Sequence, residues 1–426
     1  MMVGLLILAA LTATLAAGPG VAASLATGDR AAAGAALHRI GATTISRRRT
    51  IIWMAAVATI YAGATYVRVG PLSPDRMMLT AAHLLQGADL GPEFFLRNDV
   101  VTVGGRNYAA MSIGPMLVYL PFVPFPFLWG ASRWLVSTVV GIVAAWLCLP
   151  LARRYGPPGA TYWLATLGAF GTLLFPLAIE GDFYYLAHLE AMACTFVALI
   201  EWQDRRRPWV VALALGLAAL ARPTVLLAAV PFGVALVASS RQRTRTVGEY
   251  LVPLAAAVAI MGAYDFLRFG SVTETGYEAS VLWTPGLAAL RAQGLFSPSH
   301  LGPNLALLLG GGFGVRATFP WLVASKQGQS ILLTTPALLM AAWAGLRDRT
   351  NQVLWAAAVL TAVPVLLYYG GGGADTYGYR YALDFTPFLL ALVAVAAGSR
   401  FGGLERALIV ASVAFCSYGF VWAVFN

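Results

Sequence analysis

Asp75 stands in Ser73-Pro74-Asp75-Arg76, just past an apolar stretch and at the head of a charge-bearing segment in an otherwise apolar chain. A carboxylate held at a membrane edge is partly desolvated, which raises its proton affinity and suits it to take a proton from a hydroxyl. Asp75 also precedes Met77–Leu85, where apolar residues recur at helical spacing, so it is expected to cap a helix lying on the membrane surface. Glu180, Asp182, His188 and Glu190 form a second acidic cluster between two apolar stretches. His188 and Glu190 enter a helix where ionisable groups are costly and often functional. A divalent metal ion held by Asp75 and Glu190 is one expectation; a hydrogen-bonded polar pair at His188 and Glu190 is the other.

Arg222 lies between the apolar stretches Trp209–Ala221 and Pro223–Val237, where a guanidinium needs a carboxylate or a phosphate as partner. Phosphate is the expected one. Arg380, in Gly378-Tyr379-Arg380-Tyr381 after Gly370–Gly373, meets the membrane at the start of an apolar stretch and is suited to bidentate phosphate binding. Its alternative is an interfacial aromatic belt with a snorkelling arginine. Lys326, the one lysine of the chain, is grouped with Arg222 and Arg380 as a phosphate ligand.

These groups need elements to hold them, and composition says which. The chain has 426 residues, 59% hydrophobic and 11% charged, with mean hydropathy +0.74. That much apolar surface does not fit inside one water-soluble core, and apolar stretches of about 17–25 residues recur along the sequence. The expected fold is an all-α polytopic membrane protein. The net charge of +10 comes from arginines clustered in short loops, as in cytoplasmic loops, and nucleic-acid binding is excluded as a function class. Cys148, Cys194 and Cys416 lie in apolar stretches and read as small hydrophobes. Residues 1–26 are uncharged and apolar without a basic leader, which reads as an extra span or a misassigned start.

With Arg47–Arg49 on the cytoplasmic side, residues 51–69 make the first span and deliver Asp75 outside. Residues 113–129 carry Pro115, Pro121, Pro124 and Pro126, too many for a spanning helix, and read as interfacial or re-entrant. Spans are then expected at 133–152, 159–178, 184–201, 209–221, 223–238, 248–267, 329–346, 352–369, 382–398 and 405–424. That is about eleven, with a twelfth at the N-terminus if residues 1–26 cross. This arrangement keeps the positive excess inside. The chain then divides into an N-terminal segment, 1–50, and one membrane domain, 51–426, with external loops at 70–132 and 268–328.

Taken in order, several strings resemble the GT-C membrane glycosyltransferases, especially the glycosyltransferase family 39-like group of protein mannosyltransferases and the aminoarabinose transferase. They are Ser73-Pro74-Asp75, Gly105-Arg106-Asn107-Tyr108, Ile113–Pro121, Arg153-Arg154-Tyr155-Gly156 and Ala221-Arg222-Pro223-Thr224. Arg268-Phe269-Gly270, Thr275-Gly276-Tyr277, Gly328–Pro336 and Gly378–Tyr381 follow. The resemblance covers about residues 51–400. It implies a GT-C-like helical bundle with external juxtamembrane helices; the dominance of arginine over lysine points to a GC-rich bacterial genome, and so to a bacterial plasma membrane. It also implies a sugar donor carried on a polyprenyl phosphate and a lipid, glycan or protein acceptor, with transfer outside the cytoplasm. Asp75 occupies the place of the family's general base. Arg222, Arg380 and Lys326 would meet the donor phosphate, and Arg106, Tyr108, His188, Tyr277 and Tyr379 would line the substrate site. Arg76 stands where many relatives carry a second acid, which bears on a paired-carboxylate metal site. A polytopic transporter or lipid-linked sugar flippase is the alternative; it would be expected to show paired halves, and no internal repeat is evident.

Overall fold

The computed structural model describes residues 47–70, 72–282, 284–319, 321–325, 327–373 and 376–425, with Ser399 and Arg400 described by backbone alone. The expectations for residues 1–26, and for Lys326, lie outside the described residues. The chain is mostly helical, 72%, with little sheet. Helix α1 (Arg47–Arg68) is followed by the short α2 (Arg76–Ala82), the strands β1 (Val100–Val103) and β2 (Arg106–Ala109), and α3 (Gly114–Tyr119). Long helices come next: α4 (Trp129–Tyr155), the broken pair α5 (Thr161–Phe170) and α6 (Leu174–Glu180), and α7 (Phe183–Gln203). Then follow α8 (Pro208–Ala221), α9 (Ala229–Ser239) and α10 (Arg243–Phe269). After further short helices come α11 (Arg349–Leu367), α12 (Thr386–Arg400) and α13 (Gly403–Phe425).

Among the described residues six helices are long and apolar enough to cross a membrane, or seven if the bent pair α5–α6 is one span. This establishes a multi-pass membrane character. The remaining expected spans are helical but broken. Helix α8 has 14 residues and would reach about 21 Å at 1.5 Å per residue, short of a hydrocarbon layer of roughly 30 Å. It stops at Arg222-Pro223, because proline removes a donor and pushes the residue before it out of helical geometry. Pro336 likewise starts a 3-10 segment, Pro336–Ala344, in the expected span 329–346. The segment 113–129 is not a continuous helix. Pro115, Pro121 and Pro126 each sit in the first turn of a short piece, where a missing N–H does no harm.

Charged pairs mark the two ends of the bundle. Arg68–Glu180 (3.5 Å) and Arg133–Asp182 (3.6 Å) join α1, α4 and the start of α7 at one end. Arg154–Asp204 and Arg207–Glu201 (2.8 Å) close the other, with Arg153 donating to Thr50. Near the first end a separate apolar core joins Met77 and Met78 of α2, Val100 and Met111 around the hairpin, and Met116 and Tyr119 of α3. It continues into Val136, Phe183 and Leu220 of the long helices. That second core fixes the segment carrying Asp75.

Candidate active site

Asp75 caps α2 as its position suggested: Oδ1 accepts the Met77 N–H at 2.8 Å, and the residue is 5% exposed. Among the described residues no hydrogen bond engages Oδ2. Burial, and next the Asp182 carboxylate, push the Asp75 pKa up to about 7, against weaker opposition from the Met77 N–H, Arg133 and Arg76. Asp182 caps α7 in the same way, accepting from the Tyr184 N–H at 2.9 Å, and burial raises its pKa too. Gly181, at φ +61, makes the tight turn into that cap. A Cβ there would lie 2.4 Å from the Trp134 ring, and the Gly181 carbonyl accepts from Arg133 Nε at 2.6 Å. The Tyr119 hydroxyl, buried and without a partner, lies in the field of Asp75 and Asp182.

Asp182 also feels Arg380, so the base candidate and this guanidinium share one neighbour. Arg380 is 9% exposed and sits over the rings of Tyr184, Tyr185 and Tyr381 at 5.6, 5.6 and 5.1 Å. Its Nη2 donates to the Tyr381 hydroxyl at 3.3 Å, while Nε is buried with no partner. Among the described residues no carboxylate lies within ion-pair distance of it. Gly373 (φ +100) leaves the room Arg380 needs, since a Cβ there would lie 2.5 Å from Nε. A buried cation without a counter-charge is costly unless an anion arrives.

Arg222 also lies over the Tyr381 ring, at 5.0 Å. Of its two expected partners it has the carboxylate. Nε and Nη2 both donate to Asp384, at 3.0–3.1 Å, and Thr224 Oγ1 donates to the same carboxylate at 2.6 Å. His188 Nδ1 lies 2.9 Å from Asp384 Oδ1, and the histidine is 1% exposed, so its ring serves Asp384 and not open space. Arg222, Thr224 and His188 together satisfy the buried Asp384 carboxylate. The sequence reading missed Asp384. The signal was an acid four residues beyond Arg380 at the mouth of an apolar stretch, where an unpaired charge is not tolerated.

Of the other expected site residues, Tyr277 joins this cluster, half-buried in the field of Arg222 and Tyr381, its hydroxyl 3.8 Å from Met111 Sδ. Tyr379 is buried with an unpartnered hydroxyl. Arg106 is exposed at the hairpin turn, and Tyr108 packs edge-on to Phe269 at 5.7 Å, so the hairpin supports the site and neither is placed among its charged groups. Glu190 follows His188 by two positions, about 200° around α7, and its buried Oε2 has no hydrogen-bond partner among the described residues. No group of three or more His, Cys, Asp or Glu able to hold a metal is found among the described residues. Asp75 and Glu190 therefore have no third ligand there, and no step below passes through a metal. No family model, curated protein or solved structure matches this chain.

Proposed function

We propose that the protein is a GT-C-type membrane glycosyltransferase that moves a sugar from a polyprenyl-phosphate donor to a lipid, glycan or protein acceptor. The observation that carries this reading is that Asp182 feels a guanidinium buried without a carboxylate among the described residues (Arg380) and shares a field with a buried carboxylate that has one uncommitted oxygen (Asp75). Sugar transfer from a phosphate needs both: a base for the incoming hydroxyl and a cation for the outgoing anion.

In this scheme Asp75 Oδ2 takes the acceptor hydroxyl's proton as that oxygen attacks the anomeric carbon. The carbon–oxygen bond to phosphate breaks, its electron pair leaves with the lipid phosphate, and Arg380 neutralises the added charge. Arg222, clamped by Asp384 through Nε and Nη2, keeps Nη1 for a phosphate oxygen. His188 and Thr224 are positioning residues acting through Asp384. Tyr381 and Tyr277 form walls between the two arginines. We read the arginine-rich end, at Arg154, Arg207 and Arg245, as cytoplasmic and the Asp75 end as the outer face of a bacterial plasma membrane, with the broken helices completing about eleven crossings.

Deletion of the protein tests the donor class. Cells lacking it should accumulate one lipid-linked monosaccharide, cleared by the wild-type chain and not by Asp75→Asn at equal protein level. No accumulation, or equal rescue by the variant, would refute the reading.

A further inference from the structure

The opposite end of the bundle carries a second cavity, of about 550 Å³, that the proposed reaction does not use. Its walls come from the turn after α7 (Arg206), the end of α9 (Leu236, Ser240), Arg241, and the first turns of α10 (Arg245, Thr246). One acid, Glu249, lines it as well, and Arg245 Nε already donates to that carboxylate at 2.7 Å. Arg206 and Arg241 are left as the uncompensated charges. Arg241 has no hydrogen bond or ion pair among the described residues. Arg206 stands at φ +52, an unusual conformation for a residue with a side chain, held by its N–H to the Glu201 carbonyl at 2.9 Å and by Nε to the Trp202 carbonyl at 3.1 Å. Its exposed guanidinium lies over the Trp202 ring at 5.7 Å, at the edge of the cavity. The 27-residue α10 begins here without a side-chain cap, so its positive dipole end faces the same space.

Cations, hydroxyls and a helix N-terminus describe a receptor for a phosphate group. The neighbouring helix surfaces say what the phosphate is attached to. Val230 and Val234 on α9, and Leu251 and Val252 on α10, are exposed apolar residues further along the two helices whose ends line the cavity, as on surfaces that meet acyl chains. We infer that this cavity binds the phosphate headgroup of an anionic membrane lipid, in the leaflet opposite the one that Asp75 faces. This site is independent of the proposed transfer reaction, and either can fail without the other.

The test is native mass spectrometry of the full chain in detergent, titrated separately with phosphatidylglycerol and phosphatidylcholine. Wild type should bind phosphatidylglycerol more than tenfold tighter, and Arg241→Gln should weaken that binding about fivefold, the worth of one surface arginine toward an anionic lipid. Arg241 is exposed and makes no contact, so the variant should fold. Arg243→Gln removes the same charge one turn position away, outside the cavity lining, and should leave the binding unchanged. Equal affinity for the two lipids would overturn the inference, as would equal losses in the two variants. Displacement of the lipid by inorganic phosphate at matched concentration would also overturn it, by making the site one for a free anion.

Discussion

At the scale of single residues, Asp75 and Arg380 are set apart by what they lack. Asp75 has one oxygen anchored in a helix cap and the other unengaged, and Arg380 is a buried cation without an ion pair among the described residues. Because the folded-state pKa of Asp75 is raised to about 7, the folded chain holds a proton there that the unfolded chain has already released. The sign follows. The stability linked to Asp75 is complete below the ordinary carboxylate range and is lost as pH rises toward 7, while the ionised base accumulates. Turnover should therefore climb about tenfold per pH unit below 7 and level off above it, measured as kcat/KM at saturating acceptor. Asp75→Asn keeps the cap, since asparagine caps as well as aspartate, and should lower turnover about 10²–10⁴-fold with little change in melting temperature. Arg380→Gln should raise the donor KM and lower kcat, together about 3 kcal/mol, and should not destabilise the fold, because it removes a buried charge that has no carboxylate to strand.

At the scale of elements, the contrast with Arg222 is sharpest. Arg222, Asp384, Thr224 and His188 tie the break between α8 and α9 to the start of α12 and the second turn of α7. Removing one partner leaves a buried charge, so Arg222→Gln should cost about 3–5 kcal/mol of stability, read as a large fall in melting temperature that Arg380→Gln does not share. Gly114, at the head of α3, is the other fixed point. A Cβ there would lie 2.6 Å from the Ala221 Cα, against backbone that has little freedom to yield. Gly114→Ala should force α3 from the end of α8 at about 1–3 kcal/mol, and should lower activity by displacing the Asp75 platform and Arg222 together. Much of this scaffold was legible in the chain. The Asp75 cap followed from Pro74 and the helical spacing after it, and the broken backbone of 113–129 followed from its prolines. The carboxylate on Arg222 was not legible, because Asp384 is 162 positions away and only packing selects it over phosphate. The hairpin at Val100–Ala109 was missed because Gly104-Gly105, which turns it with φ +58 and +79, sits in a segment read as loop.

At the scale of the whole molecule, the ion pairs separate the bundle into an end rich in exposed arginines and an end where buried acids and arginines meet. Among the described residues six continuous helices are fewer than the alternation of arginine clusters suggested, because the helices on either side of Arg222-Pro223 are each too short to cross and Pro336 breaks the stretch 329–346. Sidedness is measurable: a cysteine placed at the exposed Glu93 should react with an impermeant maleimide added to intact cells, and one placed at Arg241 should react only after lysis. The most direct test of Asp75 as the base is single-turnover transfer in proteoliposomes. Purified wild type and Asp75→Asn would be supplied with a polyprenyl-phosphate sugar and an acceptor lipid. Wild type should transfer the sugar with a rate that rises toward pH 7, and the variant should bind the donor equally well while transferring at least about 100-fold more slowly at pH 7 and above, the gap narrowing as pH falls and the wild-type base is protonated. Equal rates in the two proteins, or a wild-type rate flat from pH 5 to 8, would contradict the assignment.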